Sequence, residues 1–202
     1  MINIFDMDGF LYKAGMTLAD IFLLSFLWII FSIPLVTIGA STTAAYYVCT
    51  KKAAGSDAYV FIGFLKSFKE NFLRSTLTTV ILGFVGWVVW VNFYLLRQVD
   101  LGMLQFPVRI ALSLVLIQLI FVVMYVFPII SRFDTTVKGA LKSALQLANS
   151  HLFLTISNLI LLAAVGVVTI WVPFLFIFIP GMYVYFSSTL FVKIFRKHNP
   201  DF

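Results

Sequence analysis

The chain has 202 residues, of which 62% are hydrophobic and 11% charged, whereas soluble domains carry about a quarter of their residues as charges. That composition excludes an ordinary soluble domain and points to a membrane protein. The formal net charge of +6 is accounted for by membrane orientation and anionic headgroups, and gives no case for a nucleic-acid partner.

Residues 1–16 read as a short extracytoplasmic tail in which Phe5, Phe10, Leu11 and Tyr12 lie among Asp6, Asp8 and Lys13. The acids, and the length of the apolar run behind them, argue against a cleavable signal peptide. That run, Ile21 to Thr50, holds 30 residues without a charge and predicts a first span near 18–48, its length leaving open whether it is one kinked helix or two. Inside it stand Pro34, Thr37, Gly39 and Ser41, where a plain anchor would carry Leu and Val. A proline frees backbone groups that must be satisfied again by neighbouring helices, hydroxyls or water. Thr37 and Ser41 are four apart and share a helix face, and Gly39 admits a second backbone. The four residues therefore define either a packing hinge or a ligand lining.

Past Cys49, Lys51 and Lys52, the turn and cap signal Gly55-Ser56-Asp57 precedes Phe61, Phe64, Leu65, Phe68 and Phe72 at helical spacing, with Lys66, Lys69 and Glu70 opposite. This predicts an amphipathic helix near 57–72 in the inner interface. Charge-free runs Ser75 to Leu96 and Ile110 to Ser131, 22 residues each, match the roughly 20 needed to cross the hydrocarbon and predict spans near 75–97 and 108–131. Asp134-Thr135-Thr136 then announces a second amphipathic helix, near 134–149, with Lys138 and Lys142 on its polar side. With Pro34 and Pro128 in the preceding spans, the two stretches read as a degenerate parallel repeat. The last run, Leu152 to Val192, holds 41 residues and predicts spans near 152–172 and 174–195. Pro173 is read as the first-turn proline of the fifth helix and Pro180-Gly181 as a kink within it.

The expected fold is thus one all-α domain, a polytopic transmembrane bundle of about five spans with two cytoplasmic amphipathic helices. With the N-terminus outside, Lys51, Lys52, Lys66, Lys69, Arg74, Lys138 and Lys142 join Arg132, Lys193, Arg196 and Lys197 on the cytoplasmic side, leaving Lys13, Arg97 and Arg109 outside. That bias agrees with the retention of Lys and Arg inside. The charge-free runs contain no Asp, Glu, Lys, Arg or His, so an ion-coupled carrier, an intramembrane protease or a metal site lacks its groups. No catalytic residue, cofactor or metal ligand is expected. Cys49, the one cysteine, excludes an internal disulfide.

Leu27-Trp28, then Phe31 through Ala40, Ala44, Tyr46-Tyr47, Phe64 and Phe68-Lys69-Glu70-Asn71-Phe72 resemble the YesL-like bacterial membrane proteins, a domain family of unknown function. Ser25 stands where that family leads one to expect an asparagine. The resemblance implies a small polytopic protein of the bacterial plasma membrane, of a kind often encoded beside carbohydrate-uptake transporters and sugar sensors. The expected function is a non-enzymatic accessory or regulatory component of carbohydrate uptake, its partners the lipid bilayer and sugar-transporter subunits or a membrane sensor. The alternative is a small carrier for an uncharged solute.

Overall fold

The computed structural model describes residues 10–56, 59–99, 102–171 and 177–198, and all regular structure among them is helical. The first apolar run is two helices. α1 (Phe10–Phe31) ends just before Pro34, and α2 (Ile38–Ala53) follows a single 3-10 turn over Leu35–Thr37. Pro34 has extended backbone (φ −74°, ψ 113°), lacks an N–H, and disfavours the helical region for the residue before it. The carbonyls so released are recaptured locally: the Thr37 hydroxyl lies 2.6 Å from the Phe31 carbonyl and 2.7 Å from that of Pro34, and the Thr37 N–H donates to the Pro34 carbonyl. The break is therefore capped, and the chain turns back.

Two pairings fix the return. Trp28 Nε1 donates to Thr42 Oγ1 at 3.0 Å, and Lys52 forms an ion pair with Asp20. α1 and α2 are an antiparallel hairpin. Of the two readings open for the run near 18–48, one kinked helix or two, the fold has two, and the ends expected on opposite sides of the membrane meet where Asp20 pairs with Lys52. At 1.5 Å per residue the 16 residues of α2 rise only about 24 Å, less than the ~30 Å hydrocarbon core.

α3 (Val60–Gln98) is one continuous helix of 39 residues, which merges the amphipathic helix expected near 57–72 with the span expected near 75–97. Nothing between Phe64 and Leu82 is Gly or Pro, so each added residue extends a helix already nucleated. Asp57, the anticipated cap, lies outside the described residues. The inward stripe is Val60, Phe64, Ser67, Ser75 and Thr78, while Phe61 and Phe72 are exposed. The phenylalanines expected on one apolar face are thus divided between core and surroundings.

α4 (Gln105–Arg132) runs antiparallel to α3, with Gln105 Nε2 donating to the Leu96 carbonyl at 3.1 Å near one end and Arg74 paired with Asp134 at 2.9 Å near the other. Pro128 sits inside this unbroken helix, whereas Pro34 separates two helices. The anticipated parallel repeat is therefore not expressed in the fold. α5 (Val137–Ser150) is the second amphipathic helix, capped by Thr136, whose hydroxyl accepts from the Gly139 N–H. Asp134, expected within the helix start, is committed to Arg74 instead. Ala140, Ala144 and Ala148, all fully buried, let α5 lie close on its neighbours.

α6 (Leu152–Trp171) leaves α5 at a bend of 97°, and α7 (Ile179–His198) is the last helix among the described residues. Pro173 lies outside the described residues. Pro180 occupies the first turn of α7, where a missing N–H is harmless, and residues 172–176, where the expected fifth helix would begin, lie outside the described residues. By length and composition, three helices among the described residues can cross a membrane, Ala14–Phe31, Val60–Gln98 and Gly102–Arg132, or up to four with the bent α5–α6 pair. The chain is an all-α membrane bundle built around α2.

Cys49 is buried, so its thiol should resist maleimide on either side of the membrane. In a Cys49→Ala background, Gly15→Cys and Ser56→Cys should label from the same side of sealed cells and Met103→Cys from the other. Opposite labelling of positions 15 and 56 would restore the single-span reading.

Candidate functional site

α2 is the buried centre of the molecule: Ala40, Ser41, Thr43, Ala44 and Thr50 are fully buried, and Gly39, Ala45, Tyr46, Val48 and Cys49 nearly so. The composition explains its place. Small side chains let neighbouring backbones approach, and between helices in an apolar medium such contact and hydrogen bonding replace the hydrophobic drive.

The four residues singled out by sequence are brought together at the hairpin turn and the start of α2. Pro34 is exposed at the tip. Thr37 caps α1, and the buried Ser41 hydroxyl donates to the Thr37 carbonyl at 3.1 Å. Gly39 is the tightest point: a Cβ there would stand 1.9 Å from Thr79 Oγ1, 2.5 Å from Phe127 Cε1 and 2.9 Å from the Ser75 carbonyl. The first of these atoms could swing away, but the last is backbone. α2, α3 and α4 meet here with room only for hydrogen.

The cations expected at a cytoplasmic interface are dispersed over several elements. Lys51 lies over the Tyr47 ring at 4.8 Å, Lys52 is paired with Asp20 and Arg74 with Asp134. Lys66 and Lys69 are exposed on α3, and Lys138 and Lys142 on α5.

A recurring arrangement links the helices. Thr42 donates its hydroxyl to the Ile38 carbonyl at 2.7 Å, which leaves its oxygen to accept from Trp28 of α1. Ser25 on α1 donates to the Phe178 carbonyl at 3.1 Å and accepts the Gly181 N–H at 2.8 Å. It thereby occupies a donor that the first turn of α7 would otherwise leave unpaired. Thr155 has its carbonyl acceptors at Ala148 and His151, 3.0 and 3.1 Å away, so the 2.8 Å contact with Tyr125 is donated by the tyrosine. The Ser187 hydroxyl lies between the Val184 carbonyl, at 3.3 Å, and the Tyr46 hydroxyl, at 2.9 Å, and Tyr46 is also bonded to Tyr183. For Ser25, Thr42 and Thr155 the hydroxyl proton goes to a main-chain carbonyl and a lone pair accepts from another helix.

Sequence reasoning passed over most of these residues, because single Ser, Thr and Tyr in apolar helices carry no spacing signal. Ser25 was visible only as a departure from a family asparagine. Asn158 is an isolated amide in its charge-free run. It is 2% exposed and interacts with the neighbouring Tyr183, yet neither of its polar atoms closes a hydrogen bond of full geometry. Phe191 fills the space between Tyr46 and Tyr125, with ring centroids at 5.6 and 5.1 Å.

Apart from tyrosines, every buried polar residue among those described is Ser, Thr or Asn. The arrangement is that of a polytopic helical membrane protein held together by neutral hydrogen bonds. The chain belongs to the YesL-like family of unknown function: the family model "Protein of unknown function, DUF624" matches residues 21–93. The chain is 32% identical over 181 residues to "Uncharacterized protein YesL" of Bacillus subtilis (strain 168), covering 86% of this chain and 84% of that protein. It is 28% identical over 153 residues to "Uncharacterized protein YteU" of the same organism, 74% of this chain and 64% of that one. No solved structure matches. The family model begins at Ile21 and takes in the whole hairpin turn, α2 and most of α3.

Overpacking a tight site destabilises by about 1–3 kcal/mol, whereas one interhelical hydrogen bond in a membrane protein averages about 0.6. Gly39→Ala should therefore lower thermal stability in detergent more than Tyr46→Phe does. Adding Thr79→Ala to Gly39→Ala should recover part of the loss, by removing the nearest atom. A Gly39→Ala protein as stable as the parent would refute the three-helix contact.

Proposed function

We propose that this chain is a non-enzymatic, multi-pass accessory or regulatory component of the bacterial plasma membrane, acting beside a carbohydrate-uptake system. One observation carries the non-transporting part of the reading: the hydroxyls of Thr37, Ser41, Thr42 and Thr43 are all bonded within the protein, and Gly39 is closed by its neighbours. The segment that invited a ligand is occupied by its own packing. The partner class comes from the genomic company that the family resemblance implies, with transporter subunits or a sugar sensor as the candidates. The basic residues suit the cytoplasmic side. In place of the expected outside N-terminus, the hairpin reading puts both ends of α1–α2 there with the C-terminus, so that all 14 Lys and Arg of the chain except Arg97 and Arg109 fall inside, in keeping with the positive-inside rule.

Affinity purification in a gentle detergent, followed by mass spectrometry, should recover a sugar-transporter subunit or a membrane sensor with the tagged protein. Recovery of the chain alone from cells expressing the uptake system would overturn the accessory reading.

Asn158 favours one competing reading, a small carrier for an uncharged solute, since a buried amide without a full partner beside Tyr183 is a group a hydroxylated solute could satisfy. On that reading, proteoliposomes should take up sugar and Asn158→Leu should abolish the flux, while Thr37→Val with Ser41→Ala leaves it intact. Absence of flux in a reconstituted, folded preparation would dispose of the carrier.

A further inference from the structure

An open groove of about 480 Å³ runs between α3, α4 and α5. Val85 of α3, Val115 and Leu119 of α4 and Leu145 of α5 give it apolar walls, and two polar residues interrupt them. Gln118 is one: its amide nitrogen is buried and has no hydrogen-bond partner. Lys142 of α5 is the other, and Lys138 stands one turn before it on the same exposed side of the helix. Among the described residues neither lysine has a carboxylate partner, since the ion pairs there are those of Lys52 and Arg74.

The three features specify an occupant. An apolar groove on a protein surrounded by lipid is filled by hydrocarbon. A buried amide N–H left unbonded in such surroundings is costly, and it calls for an acceptor oxygen that arrives with that hydrocarbon. Two unpaired cations beside the same groove call for an anion. We propose that this groove is a binding site for an anionic glycerophospholipid, with an acyl chain along Val85, Val115 and Leu119, an ester oxygen accepting from Gln118, and the phosphate held by Lys142 with Lys138 nearby. α5 is built to present that rim: its alanine face, Ala140, Ala144 and Ala148, is buried, while Lys138 and Lys142 remain exposed. The site is independent of any transport or accessory role.

The test uses the purified full chain in a neutral detergent, with dioleoyl phosphatidylglycerol, dioleoyl phosphatidylcholine or soluble glycerol 3-phosphate added. Melting is followed by intrinsic fluorescence and retained lipid by native mass spectrometry. Phosphatidylglycerol should raise the melting temperature and remain bound at one per chain, while the other two do neither. Lys142→Gln should weaken retention about fivefold, the weight of roughly 1 kcal/mol for one cation at an anionic surface. Lys193→Gln, an exposed cation on α7, should leave retention unchanged. Gln118→Leu should lower retention while raising the melting temperature of the lipid-free protein, because it removes an unbonded amide, and Leu145→Trp should block retention by filling the groove. Equal stabilisation by phosphatidylcholine, equal retention in Lys142→Gln, or a lipid-free dimer with the groove covered by a second copy would each overturn the proposal. A response to glycerol 3-phosphate equal to that of phosphatidylglycerol would do so too, by assigning the cations to free phosphate.

Discussion

A hydroxyl in apolar surroundings has one proton to place and two lone pairs to fill, and this fold depends on how that is done. At several contacts among α1, α2, α4, α6 and α7 a Ser or Thr gives its proton to a main-chain carbonyl and accepts from a partner elsewhere: Trp28 on Thr42, Gly181 on Ser25, Tyr125 on Thr155. For Thr42 and Thr155 a carbonyl four residues earlier supplies the acceptor, so the hydroxyl is already oriented before the neighbouring helix arrives, whereas Ser25 both donates to and accepts from the segment around the start of α7. Each such bond is worth only a fraction of a kcal/mol to about 1.7. Their effect is directional, fixing which faces meet where apolar side chains alone would leave helices free to slide in lipid.

Small residues do the complementary work. Gly39 lets α2 sit against both α3 and α4, and Gly181 brings the start of α7 within reach of Ile21 and Ser25. In each case the close approach is what allows the hydroxyl bonds to form: Thr43 can pair with Ser75 at 2.9 Å because Gly39, one turn earlier, has removed the spacer. Packing and hydrogen bonding are thus one device. It explains why α2, less lipid-like in composition than every other helix but α5, is the most enclosed.

Such a design leaves few polar groups unengaged, and those few point outward from the packed centre in function. Asn158 and Gln118 are the amides whose hydrogen-bonding capacity the helices do not fill. One lies inside the bundle near Tyr183, the other in the groove under α5. Both are isolated amides among apolar residues of the sequence. What separated them from Asn92, whose side chain donates to the Val88 carbonyl at 2.8 Å, was invisible there, because the spacing to a main-chain acceptor is the same for any helical residue and only the rotamer decides.

The sequence by itself determined that this is an all-α membrane protein, where most of its apolar helices lie, and that no charge is carried into its core, since those properties follow from charge-free length and period. It also marked Pro34, Thr37, Gly39 and Ser41 as special, because a proline in such a run obliges some local repair. Only the tertiary structure decided what the repair is. A kinked helix and a hairpin break the same backbone bonds at Pro34, and they differ in whether Trp28 can find Thr42 and Asp20 can find Lys52. The same holds for α3, where an interface helix and a span have merged because nothing in the sequence stops the helix, and for Asp134, drawn from capping to Arg74 by a partner 60 residues away. Local propensity sets what a segment can do; the choice among those options lies in contacts between residues far apart in the chain, which no periodicity records.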